Sequence, residues 1–422
     1  MLKTKKRVRS AILKNRKMFL AGVSAAGLFS LMYFSSPALV SKTYRASGEN
    51  LATTTAMAEQ KPAIVHLTTP NPVKGIYMSQ CVAGTPSFRN SLVKLVEDTE
   101  LNTIVIDIRD YTGKIAFPTD NPALKNAVSG ACGARDMRTF IGELHEKGIY
   151  VVGRITVFQN PYYTSIHPEQ AVQHKDGGVW KDYKGLAFVD VGARPYWDNI
   201  IELGKEAYEL GFDELNFDYI RFPSDRPMSK AVYSWDTGKS KPQVLEEFFK
   251  YLADGLRPTG AVLSADLFGM AATNSDDLNI GQVLERALPY FDYVSPMVYP
   301  SHYPAGFNGY KNVNAHSYDI VHLAMRVAVE RTVAATTTVP SLNAVAIAST
   351  TPQLYEKAVY PASKIRQWLQ RFDYPVDYTP DMVRAQIQAT EDAGLTSWLF
   401  WDAANKYASL EKTLLQKATS AQ

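Results

Sequence analysis

Cysteine and histidine are scarce in this chain, two and seven among 422 residues. No histidine stands in a His-x-His or His-Glu-x-x-His spacing, so the clustered ligands of a metallohydrolase are missing. A serine nucleophile would need a Gly-x-Ser-x-Gly elbow, and none occurs. No Gly-rich phosphate turn follows the first strand-like segment, no P-loop appears anywhere, and no lysine closes a strand where a Schiff base would be built. Neither a cofactor nor a metal is expected. The two cysteines, Cys81 and Cys132, both follow strand-like segments. An oxidising compartment would permit a bridge between them. Nothing in the sequence shows that they are close, so two thiols are expected.

Charge is also uneven. The net charge is +3, yet residues 1–17 carry eight Lys or Arg and no acid, which leaves the remainder at −5. A mildly acidic body does not imply a nucleic-acid partner. The basic tail is better explained by the segment after it. Residues 18–40 contain no charge and are mostly apolar. They read as a signal anchor, or as a signal peptide cleaved near Ser36-Pro37-Ala38; the near-spanning length favours the anchor. The basic flank then stays in the cytoplasm and the body lies outside. Residues 41–72, rich in Thr, Ala, Ser and Pro, read as a linker.

From residue 73 strand-like and helix-like segments alternate. Strands are expected at 74–79, 103–110, 150–158, 214–222, 261–268, 293–299, 364–372 and 397–401. Helices are expected at 88–99, 135–147, 194–210, 244–256, 280–288, 318–331 and 380–393, with an insertion at 332–360. Eight β–α steps without a hairpin signal imply parallel strands with helical crossovers, and eight such strands close a barrel. The expectation is a (β/α)8 TIM barrel over residues 73–410, preceded by a hydrophobic helix and a flexible linker and followed by a tail at 411–422.

Reactive groups of such a barrel sit at the C-terminal ends of its strands. The most informative run is FDELNFDYIRFP at 212–223. Period-two spacing places Glu214, Asn216 and Asp218 on one strand face, with Arg221 beyond. The other ends supply Asp107, Arg109 and Asp110; Arg154 and Thr156; Ser264 and Asp266; Tyr299 and His302; Arg366, Trp368 and Gln370; and Trp401 and Asp402. Taken singly, each has an ordinary structural explanation. A strand-end Asp is often a cap, Arg109 and Arg154 could neutralise Asp107 and Asp218, and Trp368 could be core. Their convergence on one rim is harder to explain without a ligand.

Carboxylates beside aromatic platforms suit glycoside hydrolysis, in which one acid protonates the leaving oxygen and a second is nucleophile or base. The phrases FDELNFDYIRFPSD, SADLFG, YVSPMVYPSHYPAGFNGY and KIRQWLQRF together resemble a bacterial family of glycosyl-hydrolase-like proteins, once a domain of unknown function and assigned to the TIM-barrel glycosidases. The resemblance spans roughly 73–410. It implies carbohydrate chemistry and puts Asp218 where the family carries a key carboxylate on strand four. Gln367 stands where the family has Pro, and Asn is as usual as Asp402. Asp218 is expected as nucleophile or base, Asp266 as general acid, and Asp107 as its rival, ahead of Asp110 and Asp402. Arg109, Asp110, Arg154, Asn216, Arg221, Tyr299, His302, Arg366, Gln370, Trp401 and Asp402 are expected to bind an extracellular or cell-envelope polysaccharide. The alternatives are a catalytically inactive carbohydrate-binding barrel, or another sugar-active barrel enzyme such as a lyase or transferase.

Overall fold

A computed structural model describes residues 64–420. Eight parallel strands close into a barrel: β1 (Lys74–Met78), β2 (Thr103–Arg109), β3 (Tyr150–Thr156), β4 (Glu214–Asp218), β5 (Val262–Phe268), β6 (Tyr293–Val298), β7 (Trp368–Gln370) and β8 (Trp398–Trp401). Each pairs with its sequence neighbour, and β8 closes on β1 through Lys74↔Trp398. Outside them lie α1 (Pro86–Glu97), α2 (Met137–Glu146), α3 (Arg194–Leu210), α4 (Lys241–Leu256), α5 (Leu284–Ala287), α6 (Ser317–Val333), α7 (Pro380–Asp392) and α8 (Ala408–Ser420).

The alternation within each strand explains the layering. In β2, Ile104, Ile106 and Ile108 belong to the core between barrel and helices, while Val105 belongs to the core inside the barrel. Both faces are buried, as a parallel sheet wrapped in helices requires. Helix ends carry matching signals. Ser240 and Gln243 form a capping box on α4, Thr379 caps α7, and Gly211 ends α3 at φ 125.

Two strands are shorter than expected by four residues or more, and a third slips its register, for local reasons. β4 stops at Asp218 because Tyr219 turns the chain at φ 52, a left-handed conformation rare for a non-glycine residue. β7 is short because Ala362–Lys364 is a 3₁₀ turn and Ile365 makes only an isolated bridge to Val294. In β2 the register slips between Asp107 and Arg109, so two residues oppose one on β3. The insertion folds as a small antiparallel sheet of Thr336–Thr337, Val345–Ala346 and Tyr355–Glu356.

Cys81 and Cys132 are joined in a disulfide, against the expectation of two thiols. The loops after β1 and β2 leave adjacent strands at the same rim, and the Gly133 amide donates to the Gln80 carbonyl at 3.0 Å. That approach brings together cysteines 51 residues apart, which spacing alone could not reveal.

Residues 66–73 lie under the barrel floor. The Leu67 amide donates to Asp213 at 2.7 Å, His66 stacks on Tyr208 at 3.9 Å, and Thr69 meets the Tyr150 hydroxyl at 2.9 Å. Among the described residues no helix is long and apolar enough to cross a membrane; the segment expected as anchor or signal peptide, 18–40, lies outside them.

Candidate active site

The barrel interior holds charge at two levels. At the floor, Glu214 from β4 and Arg366, two residues before β7, form an ion pair in which neither side chain is exposed. The Tyr150 hydroxyl donates to Glu214 at 3.1 Å, and the Arg366 guanidinium lies 4.4 Å from the Tyr293 ring centroid. Arg366 therefore serves the barrel floor and does not reach the rim where it was expected.

At the opposite end three carboxyl groups surround one guanidinium. Arg154 on β3 donates from Nη1 to Asp107 Oδ1 at 2.6 Å, and to Asp218 Oδ2 from Nη2 at 2.5 Å and Nε at 3.2 Å. Its Nε lies 4.0 Å from Asp266 Oδ2. The Tyr77 hydroxyl donates to the other Asp107 oxygen. Among the described residues Asp218 Oδ1 accepts only from the Tyr219 amide, at 2.6 Å, a bond made by the left-handed turn that ends β4. Asp266 Oδ1 accepts from Asn216 Nδ2 at 2.9 Å and from Trp368 Nε1 at 2.8 Å. Asn216 thus positions Asp266 from below, and Trp368 is more than core filler.

One guanidinium cannot balance three carboxylates in a buried site, so the surplus acids titrate above their ordinary range. Burial pushes Asp107 up to about 6 against the pull of Arg154. Burial and then the neighbouring Asp218 charge push Asp266 up to about 8. At neutral pH Asp266 is a carboxylic acid beside Asp218, which Arg154 binds.

Above these groups opens a cleft of about 460 Å³. Asp218, Asp266 and Arg154 form its base, and Arg221, Tyr299, His302 and Trp401 line it. Trp401 stacks on Tyr77 at 3.8 Å and lies 4.8 Å from the Arg154 guanidinium, which fixes its plane at the rim. His302 stands in a T-shaped contact with Tyr299 at 5.3 Å; burial lowers its pKa, so the imidazole is neutral at neutral pH. Asp107 lies deeper than the lining residues and touches the cleft only through Arg154.

Four further residues expected at the rim do not line this cleft. The β2 bulge turns Arg109 outward, where Nε donates to the Thr156 carbonyl at 3.0 Å and Nη1 to Asn199 at 3.2 Å. Asp110 closes its own turn by accepting from the Thr112 amide at 2.9 Å. Gln370 accepts from the Ser301 amide at 3.1 Å and donates to the Phe372 and Tyr374 carbonyls, tying the His302 loop to the β7 loop. Asp402 caps the turn after β8 by accepting from the Ala404 amide at 2.7 Å. Conversely, the cleft contains Lys184, Tyr219, Asp225, Phe268, Met297 and Tyr303, which were not expected there. Apolar and loop residues of this kind give no strand-end signal. Tyr219 could have been found from its place directly after Asp218. Among the described residues no group of three His, Cys, Asp or Glu is arranged to hold a metal ion.

Similarity to known proteins points the same way. None of the curated proteins is significantly similar to the chain in sequence. Among solved structures, the glycoside hydrolase domain of PgaB (BpsB) from Bordetella bronchiseptica superposes with TM-score 0.53 at 13% identity, over 81% of this chain and 98% of that one. The α-L-fucosidase isoenzyme 2 of Paenibacillus thiaminolyticus gives TM-score 0.53 at 12% identity, over 83% of this chain and 50% of that one. A hypothetical protein from Ruminiclostridium thermocellum ATCC 27405 is 31% identical over 49% of this chain and 98% of its own, with TM-score 0.42. At such identities the first two likenesses concern the barrel fold alone. Residues 75–407, most of the chain, match the family described as "Putative glycosyl hydrolase domain". The chain with this barrel and these strand-end carboxyl groups belongs to that glycosyl hydrolase family.

Proposed function

We propose that the protein hydrolyses glycosidic bonds in a polysaccharide of the cell envelope or the extracellular space, with Asp266 as general acid and Asp218 as nucleophile or base. Glycosidase chemistry is the class of the family; the residues, substrate and location are the proposal. The observation that carries it is the pair of carboxyl groups at the base of one cleft in unlike surroundings, Asp266 raised to about 8 by burial and then by Asp218, and Asp218 bound by two nitrogens of Arg154. Glycoside hydrolysis needs that division of labour. Asp266 Oδ1 is engaged by Asn216 and Trp368, which leaves Oδ2 to carry the proton toward the glycosidic oxygen. Asp218 Oδ2 is filled by two arginine nitrogens, so Oδ1, with one donor, is the oxygen left to attack C1 or to draw a proton from water. Trp401 offers a flat apolar face for a sugar ring.

The location rests on two features. An uncharged run follows a basic tail, and the Cys81–Cys132 disulfide suits an oxidising compartment.

Arg154 favours a second reading, in which Asp218 is only an ion-pair partner and the barrel binds glycans without cutting them. The test is incubation with bacterial and host polysaccharides, the producer's own envelope glycans included, while new reducing ends are tracked by mass spectrometry. Products from the wild type that vanish in Asp218→Asn are expected. Products that persist equally in Asp218→Asn would remove Asp218 from the chemistry, and binding without products would establish the second reading.

A further inference from the structure

Seven arginines are buried in the described residues, and five of them face a carboxylate: Arg89 with Asp136, Arg154 with Asp107 and Asp218, Arg286 with Glu246, Arg366 with Glu214 and Arg371 with Asp373. Arg109 and Arg221 have no such partner, and of the two only Arg221 lines the cleft at the barrel mouth. Its residue surface is 5% exposed. Nη1 donates to the Phe222 carbonyl at 3.1 Å and to Ser224 Oγ at 3.3 Å, and no protein group among the described residues takes Nε or Nη2. Aromatic rings hold the guanidinium in place, with centroids 4.7 Å away at Phe268, 5.0 Å at Tyr219 and 5.9 Å at Phe188. A buried cation without a counter-charge is costly unless an anion completes it. A planar guanidinium with one edge free is shaped for a carboxylate or another oxyanion.

The remaining charges of the cleft do not supply that anion. Arg154 is taken up by Asp107 and Asp218. Asp266 carries its proton at neutral pH. Asp225 lines the cleft but makes no ion pair with Arg221; its charge acts on exposed Lys184, the second cation over the same space. We infer that Arg221, assisted by Lys184, forms a subsite for a sugar that bears an anionic group, so that the polysaccharide bound in this cleft is acidic. The inference rests on the saccharide reading of the cleft and adds the class of substrate to it.

The test is a ligand-observed NMR titration of the full chain with D-glucuronate and D-galacturonate, with neutral D-glucose and D-galactose, and with sodium sulfate. The uronates are expected to bind at least about tenfold more tightly than the neutral sugars. Arg221→Gln is expected to erase most of that preference, and Lys184→Gln about threefold of it. Lys184 is exposed, so its variant reports even where Arg221→Gln does not fold. Equal binding of acidic and neutral sugars, uronate affinity untouched by both substitutions, or binding of sulfate without uronate would each overturn the inference. Cleavage is scored apart. A neutral polymer cut without acidic preference sinks this inference and leaves the glycosidase, while uronate preference without cleavage of any polymer sinks the glycosidase and leaves the subsite.

Discussion

Replacing Asp266 by Asn tests whether a carboxyl group held protonated sits in the folded barrel, independently of any substrate. The ordinary value for this side chain is 3.8 and the folded site raises it to about 8, burial first and Asp218 second. The folded state therefore binds a proton that the unfolded chain releases between those values. This group's contribution is accordingly most favourable below about pH 4 and is lost as pH rises toward 8. At pH 7 the unfolded carboxyl lies about three units past its midpoint, which corresponds to roughly 4 kcal/mol withheld from stability. Asn cannot titrate, keeps an oxygen for Asn216 and Trp368, and escapes this loss. Asp266→Asn is thus expected to be as stable as the wild type at pH 4 and more stable at pH 7, by about 4 kcal/mol at most. For a domain of this size that is a rise of about 5 °C in Tm. Thermal denaturation of both proteins from pH 4 to 8 provides the measurement. A Tm difference that does not grow with pH, or a variant less stable at pH 7, would refute the reasoning, because the proton would not then reside on Asp266. The same variant should lose about 10²–10⁴-fold in turnover if Asp266 is the general acid, so stability gained and activity lost in one substitution is the expected signature.

The remaining predictions concern the same charges and the bridge at the rim. The pH–rate profile of kcat/KM should fall on the alkaline side near pH 8, where Asp266 loses its proton; full activity at pH 10 would assign the acid role to another group. Arg366→Met strands Glu214 in the floor and should cost about 3–5 kcal/mol in urea unfolding, while Arg366→Met with Glu214→Gln should recover most of it. Comparable losses in the single and double variants would show that the pair is not what holds the floor. Cys81→Ser with Cys132→Ser opens a loop of 51 residues and should cost up to about 4 kcal/mol by loop entropy, with unchanged turnover at low temperature; an unaltered unfolding midpoint under reducing and oxidising conditions would contradict the bridge.

The barrel was legible because each strand is a short apolar run with its own boundary, and because helices of matching length separate them. The residues at the base of the cleft were legible for a related reason: Asp107, Arg154, Asn216, Asp218 and Asp266 are polar interruptions of runs otherwise buried on both faces. Period two failed where the backbone departed from it. The bulge in β2 sends Arg109 outward although it is spaced to share a face with Asp107. Arg366, on the face of β7 that Trp368 and Gln370 share, was legible as interior but not as floor, since alternation gives the side of a sheet and not the height within a barrel. Gln370 and Asp402 do stand at strand ends, but their hydrogen bonds go to neighbouring backbone. The disulfide depended on two loops meeting over one rim, which no local pattern encodes.

The difference between the two ends of the barrel supplies the chemical argument. At the floor one acid meets one guanidinium, tyrosine rings fill the remaining space, and residues 66–73 cover the opening, so charge is paired one to one. At the mouth three acids share one guanidinium on a rim that opens to a cleft. Adding an arginine beside Asp266 would settle the mouth as the floor is settled, and would abolish the protonated acid. Burial, and then the neighbouring Asp218, keep a transferable proton on Asp266. A second arginine does line the cleft, Arg221, but it makes no hydrogen bond or ion pair with any of the three acids. Had Arg221 been placed against Asp266 the site would be stabler and inert. Its position instead separates the two tasks, a proton donor left underpaired at the base and a cation left unpaired on the wall.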